Sequence, residues 1–342
     1  MRVSIIIPMR NEAAHVGRCL DSVLAQLDGP HEYEVLCVDG ASTDRTAEIV
    51  GEYARRDERV RLLANPRKIV PCGMNLAIAQ ARGEVIVRLD GHAEYATDYI
   101  AKCLEVLERT GADNVGGYMR TVPSSDTPAG RAIAAATSSR FGVGGSHFRT
   151  GGGESEADTV PFGCFRRDVF DRFGGYDERL VRNQDMELNS RIRKGGGRIV
   201  ISPSIRLTYY NRSTYAGLRQ QAFNNGLWNP YTVYIAGGGL RLRHFVPLLF
   251  VLSLVALAVS GLFWPAGWWA LAGEVVLYLA VAGAISVRLA RPAGAPPLLV
   301  LAAFIQLHLA YGFGSLVGLL WGPVKFIGRR GSAGRAIADR RE

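Results

Sequence analysis

Over the first ninety positions apolar residues form short unbroken runs, near 3–7, 34–38, 60–63 and 84–89, separated by stretches in which they recur every three or four places. Short runs bounded by turn residues read as buried strands and the intervening spacing as amphipathic helix, which predicts helices at 14–26, 43–56 and 73–81. Ser42 or Thr43 is placed to cap the second. This alternation predicts an open α/β sheet. Asp39 and Asp90 stand just past the C-terminal ends of two of the strands, the edge where such sheets bind ligands, so both carboxylates are expected to face one crevice.

From Phe245 the pattern changes. Residues 245–264 and 298–321 contain no Asp, Glu, Lys or Arg, and 268–287 contain only Glu274. Each run is long enough to cross about 30 Å of hydrocarbon. Trp264, Trp268, Trp269 and Trp321 lie at their ends, where amphipathic rings favour the headgroup level. Gly314, Gly318 and Gly322 form a small-residue face that suits close approach of another helix of the same chain. Just upstream, Leu218, Phe223 and Trp228 alternate with Arg219, Gln220 and Asn224, as in a helix lying on a membrane surface. The chain therefore divides into an α/β domain at 1–212, an interfacial helix region at 213–240, a membrane region at 241–328 and a basic tail at 329–342.

Arg241 and Arg243 precede the first run and Arg288 and Arg291 follow the second, which places the front domain on the cytosolic face of a multi-pass protein in the inner (plasma) membrane. A third full crossing would put Lys325, Arg329, Arg330, Arg335, Arg340 and Arg341 outside. The third run is therefore expected to be re-entrant or irregularly inserted, with the tail cytosolic.

Composition narrows the classes. Of the 342 residues 48% are hydrophobic and 21% charged, which excludes a disordered chain and a transporter apolar throughout. The net charge of +9 divides into +4 up to residue 244 and +5 beyond. No nucleic-acid partner is expected. Five widely spaced cysteines without a C-x-x-C pair argue against a disulfide framework or zinc knuckle and read as buried apolar residues. No G-x-G-x-x-G follows the first strand and no G-x-x-x-x-G-K-[ST] occurs, so dinucleotide and P-loop chemistry lose their phosphate cradles. Acidic residues at strand ends suit a ribose hydroxyl or a divalent metal on a diphosphate.

Four ordered motifs carry a resemblance: Ile5-Ile6-Ile7-Pro8-Met9-Arg10-Asn11-Glu12, Val38-Asp39-Gly40-Ala41-Ser42-Thr43-Asp44, Arg88-Leu89-Asp90-Gly91-His92 and Asn183-Gln184-Asp185. Over about residues 1–230 the chain resembles the family 2 inverting glycosyltransferases of GT-A fold. The segment 159–167, with Gly174-Gly175-Tyr176-Asp177-Glu178, looks closest to the membrane-anchored succinoglycan-type glucosyltransferases of bacterial exopolysaccharide synthesis.

The resemblance implies an α/β GT-A nucleotide-sugar domain followed by a helical membrane region. It implies Asp39 at the uracil, Pro8 and Glu12 on the same rim, Arg67 and Lys68 near the diphosphate, and Asp90 holding Mn²⁺ or Mg²⁺. The family's second acidic position is His92 here, a candidate second ligand. Asp185 matches the catalytic base, Gln184 replaces its acidic neighbour, and Glu187 is expected to be solvated. A bland role stands beside each: a turn for Asp39, a helix cap for Asp90, first-turn dipole compensation for Glu12 and Asp185, and a packed imidazole for His92.

The glycine-rich stretch 142–153 reads as a mobile loop over the site, and Arg140, Arg149, Arg166, Arg167, Arg179 and Arg182 as a basic set facing an anionic acceptor or leaflet. Transfer of one sugar, with glucose as the leading candidate, from a UDP-sugar to a polyprenyl-diphosphate-linked glycan is expected, alongside partner membrane proteins of a glycan assembly pathway. A processive polysaccharide synthase is the first alternative, although the Gln-x-x-Arg-Trp signature lacks its arginine at 221–228. A non-catalytic nucleotide-sugar-binding membrane scaffold is the second.

Overall fold

The computed structural model describes residues 1–237 and 240–338. The chain opens with β1 (Arg2–Met9), α1 (Val16–Leu24), β2 (Glu32–Asp39), α2 (Thr46–Arg56), β3 (Val60–Ala64), α3 (Val70–Gln80) and β4 (Val85–Arg88). Next come β5 (Ala93–Tyr95), α4 (Tyr99–Thr110), β6 (Asn114–Pro123), α5 (Pro128–Thr137), α6 (Arg140–Val143), α7 (His147–Thr150) and β7 (Ser155–Glu156). The fold continues through β8 (Cys164–Arg166), α8 (Asp168–Phe173), α9 (Gln184–Lys194) and β9 (Ile199–Asn211). Four long helices follow: α10 (Tyr215–Ala236), α11 (Val246–Gly261), α12 (Pro265–Ala293) and α13 (Pro297–Ala338).

These elements form two compact units, one of Met1–Val122 with Gly145–Asn211 and one of Pro123–Gly144 with the chain from Arg212 onward. The contiguous domain expected at 1–212 is therefore interrupted. The reason is the apolar face of α5, where Ala132, Ile133 and Ala136 pack with Leu218 and Ala222 of α10, Ala290 of α12, and Val300, Ala303 and Phe304 of α13. Thr127 caps α5 by accepting the Gly130 amide at 3.0 Å.

In the first unit the described strands make one sheet in the order β3-β2-β1-β4-β8-β6-β9-β5, with β7 beside β9. β1 pairs in parallel with β2 and β4, and β2 with β3, whereas β8 and β9 bring antiparallel pairings. The run Ser4-Ile5-Ile6-Ile7 is buried on both faces, as a central parallel strand covered by helices requires. Register sets Met9 opposite Asp39 and Ile6 opposite Arg88, so the residues that follow β1, β2 and β4 emerge together at one sheet edge. Observed helices start and stop within a few residues of expectation. α2 begins later, at Thr46, because Asp44, rather than Ser42 or Thr43, accepts the Thr46 amide at 3.0 Å. The five cysteines are buried and free.

The second unit contains three helices long and apolar enough to cross a membrane, Leu242–Gly261, Pro265–Ala293 and Pro297–Gly322. Trp264, Trp269 and Trp321 are exposed at their ends. The third run sits in one unbroken helix; Pro297 occupies the first turn, where its missing N–H costs nothing. The basic tail expected at 329–342 continues this helix to Ala338, and residues 339–342 lie outside the described residues. α10 realises the helix expected within 213–240, of which 238 and 239 lie outside the described residues.

α10 and α13 run side by side. A Cβ added to Gly314 would meet the Phe223 carbonyl oxygen at 2.1 Å, and one on Gly318 the Leu227 carbonyl oxygen at 2.4 Å, so only glycine permits this approach. Tyr215 donates to the Leu299 carbonyl at 2.8 Å, Arg219 to Gln306 at 2.8 Å and Asn229 to Tyr311 at 2.7 Å along the same interface.

Candidate active site

Beyond the ends of β1, β2 and β4, a cleft of about 160 Å³ is lined by Pro8, Glu12, Asn65, Lys68, Asp90 and His92 among others. Five of the six candidate binding residues therefore meet there, with Asp39 as the exception. Its carboxylate accepts the Ser42 amide at 3.1 Å and the Ser42 hydroxyl at 2.5 Å, fixing the turn that follows β2 while Val38 lines the cleft beside it.

Backbone strain is concentrated around this edge. Asn11, Ala41, Lys68, Phe162 and Asn183 have φ between 54° and 66°, the left-handed region that costs non-glycine residues about 1–3 kcal/mol when poorly accommodated. Hydrogen bonds hold some of them: Asn11 donates its amide to Ser42 at 2.9 Å and accepts the Thr43 amide at 2.8 Å. Asn183 turns the chain into α9 and sets Asp185 in its first turn.

Asp90 is fixed at its backbone, donating its amide to the Tyr95 hydroxyl at 2.7 Å while its carbonyl accepts from Cys19 Sγ at 3.4 Å. Its carboxylate meets Arg88, the last residue of β4, at 2.9 Å. The other arm of Arg88 reaches Asp185 at 3.5 Å, so one guanidinium joins the candidate metal ligand to the candidate base. Arg88 is almost fully buried and lies 4.9 Å from the centre of the Phe162 ring. Burial works against its charge, and the charges of Asp185 and Asp90 outweigh it, raising its pKa. Asp185 is pushed above the usual carboxylate range by burial; Arg88 pulls it back and Asp90 adds to the rise. Arg88 Nε and the Tyr176 hydroxyl are buried without a hydrogen-bond partner, and both belong to this cluster.

Arg88 is a candidate site residue to which the sequence motif alone assigned no role. A charge closing the otherwise apolar Val85-Ile86-Val87 was the available signal.

His92 Nδ1 lies 3.2 Å from Glu12 Oε1. That bond raises the imidazole pKa against the opposing effect of burial. A carboxylate on one ring nitrogen orients the other as a metal donor. Among the described residues no group of three His, Cys, Asp or Glu side chains could hold a metal by itself. Asp90 and His92 nonetheless fit a divalent ion whose remaining ligands are phosphate oxygens and water, the usual arrangement for nucleotide-bound Mg²⁺ and one that Mn²⁺ shares.

Other expectations change. Arg67 pairs with Glu178 instead of turning to the cleft, whereas Lys68 lines it. Glu187 is buried, not solvated, because Arg191 one turn on binds it at 2.6 Å. Arg166 donates to the carbonyls of Leu107 and Ala112, Arg167 to that of Ala81, and Arg179 to Asp177, so these three serve the fold. The glycine-rich stretch takes in the end of the one-turn helix α6 and all of α7.

The family model for glycosyl transferase family 2 matches residues 4–174. The succinoglycan biosynthesis protein ExoA of Rhizobium meliloti is 32% identical over 313 residues, covering 91% of this chain and 92% of its own. A dolichyl N-acetyl-alpha-D-glucosaminyl phosphate 3-beta-D-2,3-diacetamido-2,3-dideoxy-beta-D-glucuronosyltransferase of Methanococcus voltae is 26% identical, covering 76% of this chain and 82% of its own. Among solved structures, the mannosyltransferase PcManGT of Pyrobaculum calidifontis, in complex with GDP-Man and Mn²⁺, superposes with TM-score 0.56 at 23% identity, covering 93% of this chain and 87% of that one. That likeness is one of fold.

Proposed function

The chain belongs to glycosyl transferase family 2 and is a glycosyltransferase of glycan biosynthesis, and we propose that it moves one sugar, with glucose as the leading candidate, from a UDP-sugar to a polyprenyl-diphosphate-linked glycan with inversion at the anomeric carbon. The observation that carries this reading is the pair of carboxylates, Asp90 and Asp185, tied by the buried Arg88 beside the cleft. Relatives support the substrates: one is named for succinoglycan biosynthesis and another for transfer to a dolichyl-linked sugar.

Direct displacement needs a carboxylate to take the proton of the attacking hydroxyl. Asp185 supplies it, and Arg88 keeps that carboxylate ionised and oriented. Asp90 and His92 would hold the divalent ion, with Glu12 fixing the imidazole. When bound, the ion offsets the charge that the departing diphosphate gains. Lys68 adds positive charge on the cleft wall. Release of UDP on mixing a UDP-sugar with lipid extract as acceptor tests the reading; absence of turnover with every UDP-sugar and GDP-sugar tried would leave only a binding scaffold. One addition per acceptor is expected, and product length growing with time would make it a processive synthase.

The ion choice gives a prediction. An imidazole beside one carboxylate favours Mn²⁺ over Mg²⁺ relative to two carboxylates. His92→Asp should lower the Mn²⁺/Mg²⁺ activity ratio, and His92→Ala should raise the Mn²⁺ concentration for half-maximal rate. A ratio unchanged in both variants removes His92 from the metal site.

The enzyme is membrane-associated through its C-terminal helices, and we infer two crossings. α13 carries α10 along its glycine face, and α10 bears exposed Arg219 and Gln220. An arginine at the centre of a bilayer costs at least about 2.5 kcal/mol. α11 and α12 therefore cross, while α10 and α13 lie together at the cytosolic interface with the tail inside. A cysteine replacing Ser332 should react with an impermeant maleimide only after permeabilisation, whereas one replacing Ala266, between α11 and α12, should react in intact cells. Labelling of the Ser332 variant in intact cells would mean a third crossing.

A further inference from the structure

Arg149 on α7 differs from Arg166, Arg167 and Arg179, whose guanidinium groups are taken up by backbone carbonyls or a carboxylate. No carboxylate among the described residues lies within ion-pair distance of it. Its one hydrogen bond, to Thr121 on β6, is long at 3.5 Å. The guanidinium instead stands 5.6 Å from the centre of the Phe148 ring and 5.4 Å from that of Tyr209 on β9. Burial pulls its pKa down, and a guanidinium remains protonated under such a pull. Five N–H donors in a fixed fork thus stand between aromatic faces with one weak acceptor among the described residues, and the half-buried side chain stays open to an anion.

Its position says which anion. Tyr209 pairs with Ala93 across the β5–β9 ladder, and its ring meets the His92 ring edge-on with centroids 5.9 Å apart. Arg149 is therefore one aromatic ring removed from the candidate metal ligand, and it is absent from the lining of the cleft that holds Asp90, His92 and Lys68. We propose that Arg149 is the receptor for a phosphate group of bound substrate, distinct from the phosphates at Asp90 and His92, with the diphosphate of the lipid-linked acceptor as its source. The guanidinium fork matches two phosphate oxygens, and the apolar faces of Phe148 and Tyr209 exclude water from that pair. The inference rests on the proposed transfer to a lipid-linked acceptor.

The test uses the full chain in detergent with Mn²⁺, titrated with farnesyl diphosphate, farnesol and UDP. Arg149→Ala should weaken farnesyl diphosphate by about tenfold or more, the scale of a charge-assisted hydrogen bond, with farnesol and UDP within about twofold. Arg149→Lys should recover part of the loss, since a point charge replaces the fork. A loss confined to UDP would place Arg149 at the donor diphosphate and overturn the proposal. Equal loss for farnesol and farnesyl diphosphate would make Arg149 a prop for the loop and overturn the proposal, as would no loss of any ligand. Wild-type protein that binds UDP but not farnesyl diphosphate would sink this inference alone, whereas failure to bind UDP would sink the donor reading beneath it.

Discussion

Asp185→Asn is expected to lower kcat by about a thousandfold while leaving UDP affinity within a few-fold, because the loss falls on proton transfer and not on ground-state contact with nucleotide. The substitution is nearly isosteric. Asn still turns a carbonyl oxygen toward Arg88, but it cannot take the proton of the acceptor hydroxyl. Asp39→Ala is the contrasting control: it frees the turn held by Ser42 and is expected to weaken UDP binding. Calorimetric titration of both variants with UDP separates the roles, and nucleotide binding lost as badly in Asp185→Asn as in Asp39→Ala would remove Asp185 from its assignment.

The pH profile follows from the surroundings of Asp185. A base must be ionised to act, and burial raises its pKa. The acid limb of kcat/KM should therefore lie above the value of about 3.9 for a free aspartate, activity rising with pH through that raised pKa.

Arg88 carries the second large effect. Arg88→Gln removes the cation that lowers the Asp185 pKa and leaves Asp90 and Asp185 facing each other without a counter-charge. The acid limb should then move to higher pH, kcat should fall by about a hundredfold, and the Mn²⁺ concentration for half-maximal rate should fall, because the Asp90 carboxylate no longer shares its charge with a guanidinium. Stability falls too, by about 3 kcal/mol, because truncating one member of a buried charge cluster strands the others. Arg88→Lys should restore part of the pH profile. A loss of melting temperature with the acid limb unmoved would reduce Arg88 to a structural group.

Much of this centre was legible in the chain. Apolar runs that end in Pro8, Asp39 and Asp90 mark a parallel sheet edge, since a strand buried on both faces needs no alternation and its polar residues collect at the exit. The three long runs with at most one charged residue marked the candidate membrane helices for a similar reason. What stayed hidden depends on contacts between distant segments. Nothing local says that Arg88 joins Asp90 to a residue 97 positions on. Spacing likewise does not show that α5 leaves the sheet to pack with α10 and α13, because its alanine-rich face fits either core. Glu187 was readable, since Arg191 stands four residues along the same helix, but an exposed pair and a buried one look alike in sequence. Asp39 shows the reverse case, a motif residue whose carboxylate is occupied by its own turn.

The anomeric configuration of the first product tests direct displacement at Asp185 most closely. Incubation with an α-linked UDP-sugar and lipid-linked acceptor, followed by NMR of the newly formed glycosidic bond, should show a β-linkage from wild-type enzyme and, over the same time, about a thousandfold less product from Asp185→Asn. An α-linked product, or a β-linked one formed undiminished by the Asp185→Asn variant, would contradict it.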